Sequence, residues 1–223
     1  MLFRSTAGPI ARTVTDMAIL LNVLAGVDSS DAATKDAQAL SGTDFTQYLD
    51  ANGLKGMRIG IAQYPIQFKA GDNEVFQRII AILKKAGATV VKLPPLSLQS
   101  GLKLLPVLSY GLKEGVNKYL AAVGDKSPIK SLEEIIAFNK QDLANRAPWG
   151  QDLLEGAQSN TMTAEQYQAL AQENRAKSRA MIDKMLTEKK LDLLLTLNNQ
   201  FSGFYASAGY PGLTVPADRK SVV

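Results

Sequence analysis

Apolar positions recur at helical spacing at Val14, Met17, Ala18, Leu20, Leu21 and Leu24, which predicts a helix over residues 13–24. Pro9 precedes it and Gly26 supplies a stop. The spacing is lost over residues 28–43, where Asp, Ser, Thr, Ala and Gly dominate and a surface loop is expected. A short helix is expected at 45–49, followed by a turn at Asn52-Gly53. Residues 57–62 read as a strand. Val75, Phe76, Ile79, Ile80, Ile82 and Leu83 then mark an amphipathic helix over 73–85, ending at Gly87. Residues 89–93 form a second strand, stopped by Pro94-Pro95. Strand, helix and strand in this order make a βαβ unit, whose parallel pairing calls for a right-handed crossover.

The middle third is helical in pattern. One helix is expected over 98–123, broken or offset near Pro106, because a mid-helix proline removes a hydrogen bond and clashes with the preceding turn. Ser131-Leu132-Glu133-Glu134 has the shape of a capped helix start, and so does Thr163-Ala164-Glu165-Gln166, which opens a long helix towards Lys189. Residues 191–197 predict a buried strand. Residues 198–211 predict a loop rich in Gly and aromatics, and residues 213–215 a short final strand. Strands separated by helices imply an α/β fold, with helices covering a mixed, mostly buried sheet.

Composition narrows the chemistry. Hydrophobic residues make up 46% and charged residues 21% of 223 positions, which argues against disorder. The formal charge is +4, but the basic residues are scattered, so no nucleic-acid partner is expected. No run of 18 or more apolar residues occurs, and no membrane partner is expected either. With no Cys, thiolate nucleophiles and thiolate metal sites are excluded; with no His, so are the Ser-His-Asp triad and most zinc chemistry. Neither a metal nor an organic cofactor is expected. Catalysis in such a chain would rest on carboxylates, Lys, Tyr, or a Ser activated without imidazole.

Three stretches together resemble the amidase signature family. The first is Thr6-Ala7-Gly8-Pro9-Ile10-Ala11-Arg12-Thr13-Val14-Thr15-Asp16, running into Leu20-Leu21-Asn22-Val23-Leu24-Ala25-Gly26. The second is Gly53-Leu54-Lys55-Gly56-Met57-Arg58-Ile59-Gly60-Ile61, leading into the first strand. The third is Tyr205-Ala206-Ser207-Ala208-Gly209-Tyr210-Pro211-Gly212-Leu213-Thr214-Val215-Pro216-Ala217. Each is weak to moderate alone; three in the right order are specific. Asp31-Ala32-Ala33-Thr34 and Gly150-Gln151-Asp152-Leu153-Leu154 are further similar to a bacterial branch of the family.

Two departures fall at the edges. Ser5 stands where the family has Asp, and the family's final Gly is missing after Ala217. Residues 1–5 and 218–223 both match in-frame translations of a sequencing adapter. They are therefore expected to be foreign to the protein, leaving residues 6–217 as a partial amidase domain, incomplete at both ends.

The resemblance implies hydrolysis of a carboxylic amide by a Ser nucleophile, a second Ser in a cis peptide and a Lys base. A desolvated Lys loses its proton readily and can activate Ser, which suits a chain without His. The Gly/Ser-rich stretch that would carry the nucleophile does not occur here. Ser29-Ser30 is the only adjacent serine pair, and it reads as a solvated turn. No catalytic residue is therefore assigned, and the missing N-terminal half of the same chain is the implied partner. The resemblance also points to an acyl-side substrate wall built by Phe201, Phe204 and Tyr205, with Asn198 or Asn199 as a polar handle; the alternative is that these aromatics pack a loop onto the sheet. Trp149 reads as an aromatic packed under a loop, or as a lid. The function expected is that of an amidase fragment, inactive and poorly folded alone. The alternatives are a non-catalytic α/β binding domain and a fragment of a glutamine-dependent amidotransferase subunit.

Overall fold

The computed structural model describes residues 8–62, 72–94, 101–197 and 201–215. Helix α1 spans Val14–Leu24, and the Thr13 side chain at its N-cap accepts a hydrogen bond from Asp16 N–H at 3.0 Å. That satisfies one of the amides a first turn leaves unpaired. Asn22 ties α1 to the chain that follows. Its amide donates to Asp44 Oδ1 at 3.0 Å, and its carbonyl accepts from Phe45 N–H at 2.7 Å. Residues 28–43 are not the expected plain loop but contain a 3-10 helix at Ala32–Leu40. The short helix expected at 45–49 is also 3-10, at Phe45–Tyr48, and Asp44 caps it by accepting from Thr46 N–H.

Strands β1 (Arg58–Ile61), β2 (Thr89–Lys92) and β3 (Leu193–Leu195) form a sheet in the order β2-β1-β3. Both pairings are parallel, with Ile59 opposite Val90 on one side and Leu193 on the other. Helix α2 (Asp72–Lys85) connects β1 to β2. Successive strand side chains point to opposite faces, and β1 divides the core accordingly. Ile59 and Ile61 pack with Phe76, Ile80 and Leu83 of α2. Gly60 and Ala62 face the other layer. A Cβ on Gly60 would lie 2.5 Å from Leu191 Cδ1 and 2.9 Å from Leu194 Cδ2, so only a glycine lets these leucines close over the strand.

Between β2 and β3 run helices α3 (Leu104–Val123), α4 (Leu132–Lys140), α5 (Leu143–Arg146), α6 (Asp152–Gln158) and α7 (Ala164–Lys189). Helix α8 (Ser202–Ala208) follows β3. The expected break at Pro106 does not occur. Helix α3 begins at Leu104, so Pro106 occupies its first turn, where the N–H it lacks would have no partner within the helix. Residues 98–100 of that expected helix lie outside the described residues. Ser131 caps α4 by accepting from Glu134 N–H at 3.1 Å. Thr163 and Gln166 complete a reciprocal capping box on α7. Leu132, Ile136 and Ala157 form a separate small core joining α4 and α6, against which Val116 of α3 packs.

Arg58 fastens the start of β1 to the end of α7. Its Nε donates to Lys190 O at 3.0 Å and its Nη2 to Lys189 O at 3.1 Å, satisfying carbonyls left open at the helix end. Its own N–H donates to Asp192 Oδ2 at 2.7 Å. The expected strand at 213–215 is not formed. Leu213 and Val215 are exposed, and the segment pairs with none of the described strands. Leu-Thr-Val has strand propensity, but propensity without a neighbouring strand to bond does not make one.

Candidate functional site

In parallel sheets, ligand sites form outside the carboxyl ends of the strands. Here that edge is where β1 runs out into Ala62 and β2 into Leu93, and both residues are buried against α8. The 198–211 stretch expected as a loop is therefore in part the helix α8. Its sequence, Ser-Gly-Phe-Tyr-Ala-Ser-Ala, carries no helical stripe; what holds it is packing on α7 through Phe204, Ser207 and Ala208, all buried.

Phe201 and Phe204 are 5% and 4% exposed and stack on each other with ring centroids 5.0 Å apart. They fill the core between α8, Ala62, Leu93, Ile182 and Leu191. Tyr205 is half-buried against the same core, and its ring also backs the turn that follows. A Cβ on Gly212 would lie 2.6 Å from Tyr205 Cε2. The structure thus brings three of the four expected wall residues together on one short helix at the strand ends. Asn198 lies outside the described residues, as do Thr6, Pro216 and Ala217.

A polar clamp holds the turn after α8. Gly209 caps the helix in the left-handed region at φ +72°, a conformation that costs other residues. Arg179 of α7 donates from Nε to Ala208 O at 2.7 Å, and its guanidinium carbon lies 5.4 Å from the Tyr210 ring centroid. One turn further along α7, Asp183 accepts a hydrogen bond from the Tyr210 phenol. That bond, with some burial and the Asp183 charge, holds the phenol above its usual pKa; Arg179 opposes the shift. The backbone closes the turn as Tyr210 N–H donates to Tyr205 O at 2.9 Å. Arg179 and Asp183 are four residues apart and so share one helix face. That spacing was the one signal that could have marked them.

The adjoining face of α7 buries Asn174 and Ser178, with Ala171 and Ile182. Asn174 brackets Lys103 at the start of α3: Oδ1 accepts from Lys103 N–H and Nδ2 donates to Lys103 O, both at 3.0 Å. Ser178 Oγ and Ser207 Oγ are buried with no hydrogen-bond partner among the described residues.

Other sequence candidates fall elsewhere. Ser30 donates from N–H and Oγ to Asp28 Oδ1, at 2.8 and 2.7 Å, in an exposed turn. These bonds hold the Asp28 carboxyl below its usual pKa. Trp149 is 97% exposed, so it does not pack under a loop as expected; it precedes Gly150 in a tight turn that carries the ring outward. An open groove of about 580 Å³ lies between the start of α3 and the α6–α7 connection. None of its lining residues, among them Leu105, Ser109, Asn160 and Met162, is titratable. Among the described residues, no cluster of three or more acidic or other metal-ligating side chains occurs, and no helix is long and apolar enough to cross a membrane.

Comparison with known proteins agrees with this geometry. The family model described as Amidase matches residues 2–197. A probable amidase of Arabidopsis thaliana is 31% identical over 96% of this chain and 42% of its own length. One subunit of the glutamyl-tRNA(Gln) amidotransferase of Desulforapulum autotrophicum is 39% identical over 38% of this chain and 18% of its own. Among solved structures, an amidase family protein from Bacillus anthracis superposes with a TM-score of 0.83 at 36% identity, covering 94% of this chain and 41% of that one. The native peptide amidase from Stenotrophomonas maltophilia superposes with a TM-score of 0.72 at 31% identity, covering 85% and 39%. This chain therefore spans less than half the length of these relatives, yet the matches to the Arabidopsis and Bacillus proteins run through nearly all of it. The chain belongs to the amidase signature family.

Proposed function

We propose that residues 6–217 are the scaffold portion of an amide hydrolase that cleaves a carboxylic amide to an acid and ammonia or an amine, and that this portion is inactive alone. The observation that carries the reading is a family match across almost the whole chain that accounts for only 42% of a full-length relative. The sequence has neither His nor a Gly/Ser-rich nucleophile stretch, so the attacking Ser and its Lys base belong to the part not represented here. Residues 1–5 and 218–223 are, on this reading, adapter-derived.

Within the complete enzyme, this chain supplies three things. Its parallel sheet offers a rigid edge at Ala62 and Leu93. Helix α8 forms a wall there, in which Phe201 and Phe204 anchor the helix from beneath while Tyr205 contributes the face turned to the acyl group, and Asn198 is the polar handle proposed from the sequence. The Arg179–Asp183 clamp fixes the Gly209-Tyr210-Pro211 turn, and with it the placement of that wall. A preorganised apolar wall matters because an acyl group misplaced by about 1 Å can cost about a hundredfold in rate.

The test is the gene. Read through on genomic DNA, the frame should continue upstream of Thr6 into a Gly/Ser-rich stretch and an earlier Lys, with Asp in place of Ser5. A frame that begins at Met1 and ends at Val223 would refute the reading. A second reading, an amidotransferase subunit that draws ammonia from glutamine, is favoured by the 39% identity to such a subunit over 90 residues. It predicts partner-subunit genes beside this one. Their absence, with amide hydrolysis by the complete protein alone, would leave the free amidase.

A further inference from the structure

The covering of the molecule is uneven. Of twenty-one exposed large hydrophobic residues among those described, ten fall within residues 10–49, where Ala18 is the one buried apolar residue. Helix α1 is the centre of this patch. Val14, Ile19, Leu21, Val23 and Leu24 are all exposed, Val23 at 80%, and they lie on more than one side of the helix. A helix with apolar residues on several sides is stable when other chain covers them, whereas the substantial packing of α1 here is against the 3-10 turn at Phe45–Tyr48. Exposed apolar surface of this extent marks an interface.

Building on the fragment reading above, we infer that the outer face of α1 is the principal seat of the remaining part of the amidase domain. The covered lengths favour that occupant. The superposition takes in 94% of this chain but 41% of the Bacillus anthracis protein, so more than half of that protein lies outside the matched part and is available to pack on it. The sheet side of the molecule is already furnished, with α2 on one face and α7 and α8 on the other. The uncovered apolar surface is densest on the segment around α1, with ten such residues between positions 10 and 49, and the missing portion is directed there. A second copy of this chain is the competing occupant.

The test co-expresses the affinity-tagged 223-residue chain with the part of the Bacillus anthracis protein outside the superposed stretch, as a separate polypeptide. Retention on the tagged chain is then quantified. The unaltered chain should retain this partner. An Ile19→Lys/Val23→Lys double variant should lose retention on the order of a hundredfold, because two ammonium groups would have to be desolvated in the contact. Trp149→Lys, at a still more exposed aromatic far along the chain, should retain it fully. Both changed α1 positions are exposed, so circular dichroism and the thermal transition should match those of the unaltered chain. Equal retention by the double variant would overturn the role of α1 while leaving the fragment reading intact. No retention by the unaltered chain would also overturn it, and the gene sequence would then judge the fragment reading separately. A discrete dimer of the unaltered chain, abolished in the double variant, would assign the face to a second copy and overturn it too.

Discussion

Asn174→Ala should release the start of α3 from α7. Asn174 is 3% exposed, and its amide makes a matched pair of 3.0 Å bonds with the N–H and C=O of Lys103. Each such bond contributes about 1 kcal/mol net, and a stranded buried partner costs about 1–3 kcal/mol. Lys103 is itself an exposed residue, so water recovers part of that loss, and a net effect of about 2 kcal/mol is expected. At 1.4 kcal/mol per decade this is about a thirtyfold increase in local opening. The direct assay is hydrogen exchange of the Lys103 amide, read against amides in the middle of α3 that keep their helical partners. Asn174→Asp retains an acceptor for Lys103 N–H and should accelerate exchange less than alanine does. An Asn174→Ala change of less than about fivefold, under about 1 kcal/mol, would refute the assignment of this side chain as the α3–α7 clasp.

Tyr210 should be among the last of the seven tyrosines to ionise in a spectrophotometric titration, because the bond to Asp183 favours its neutral form. A phenol whose folded pKa is raised contributes stability that is complete below its ordinary pKa of about 10 and is lost as pH rises through the raised value. Tyr210→Phe should remove that alkaline loss, and Asp183→Asn should return the phenol towards the ordinary value; an unchanged Tyr210 titration in Asp183→Asn would contradict the clamp. Gly60→Ala forces a methyl to within 2.5 Å of Leu191 Cδ1 and 2.9 Å of Leu194 Cδ2, and overpacking of this kind costs about 1–3 kcal/mol. A thermal midpoint equal to that of the unaltered chain would show that the two leucines yield freely. Gly209→Ala should lose about 1 kcal/mol at the left-handed α8 cap, while Gly209→Asn should lose less, since Asn tolerates this region. Equal losses in denaturant titration would argue that the cap conformation is not what matters there.

The parts legible in the sequence were those with local causes. Thr163 and Gln166 announced α7, and Ser131 announced α4, because a cap is a short-range hydrogen bond readable from residue types. The strand run at 57–62 and the stripe of Phe76, Ile80 and Leu83 made the βαβ unit equally plain. What escaped has non-local causes. Helix α8 looks like a loop because its small residues suit contact with α7 rather than any helical period. The strand expected at 213–215 fails for the converse reason, since its residues suit a strand but no described neighbour pairs with it. Helices α5 and α6 are too short and too interrupted by Pro148, Trp149 and Gly150 to show a period. Of the wall residues, the aromatic content was legible, but not that Phe201 and Phe204 point into the core while only Tyr205 is half free. The Arg179 and Asn174 contacts were silent, because each reaches a backbone group distant in sequence.

On the reading proposed above, this chain has the amidase scaffold without the reacting serine. Labelling with a serine-directed fluorophosphonate, read by intact mass alongside ammonia release from a simple aliphatic amide, tests it directly. The 223-residue chain should gain no adduct and release no ammonia, whereas the product of the complete gene should gain one adduct and lose its activity in step. Stoichiometric labelling of a serine within this chain, with amide hydrolysis by the chain alone, would contradict the claim.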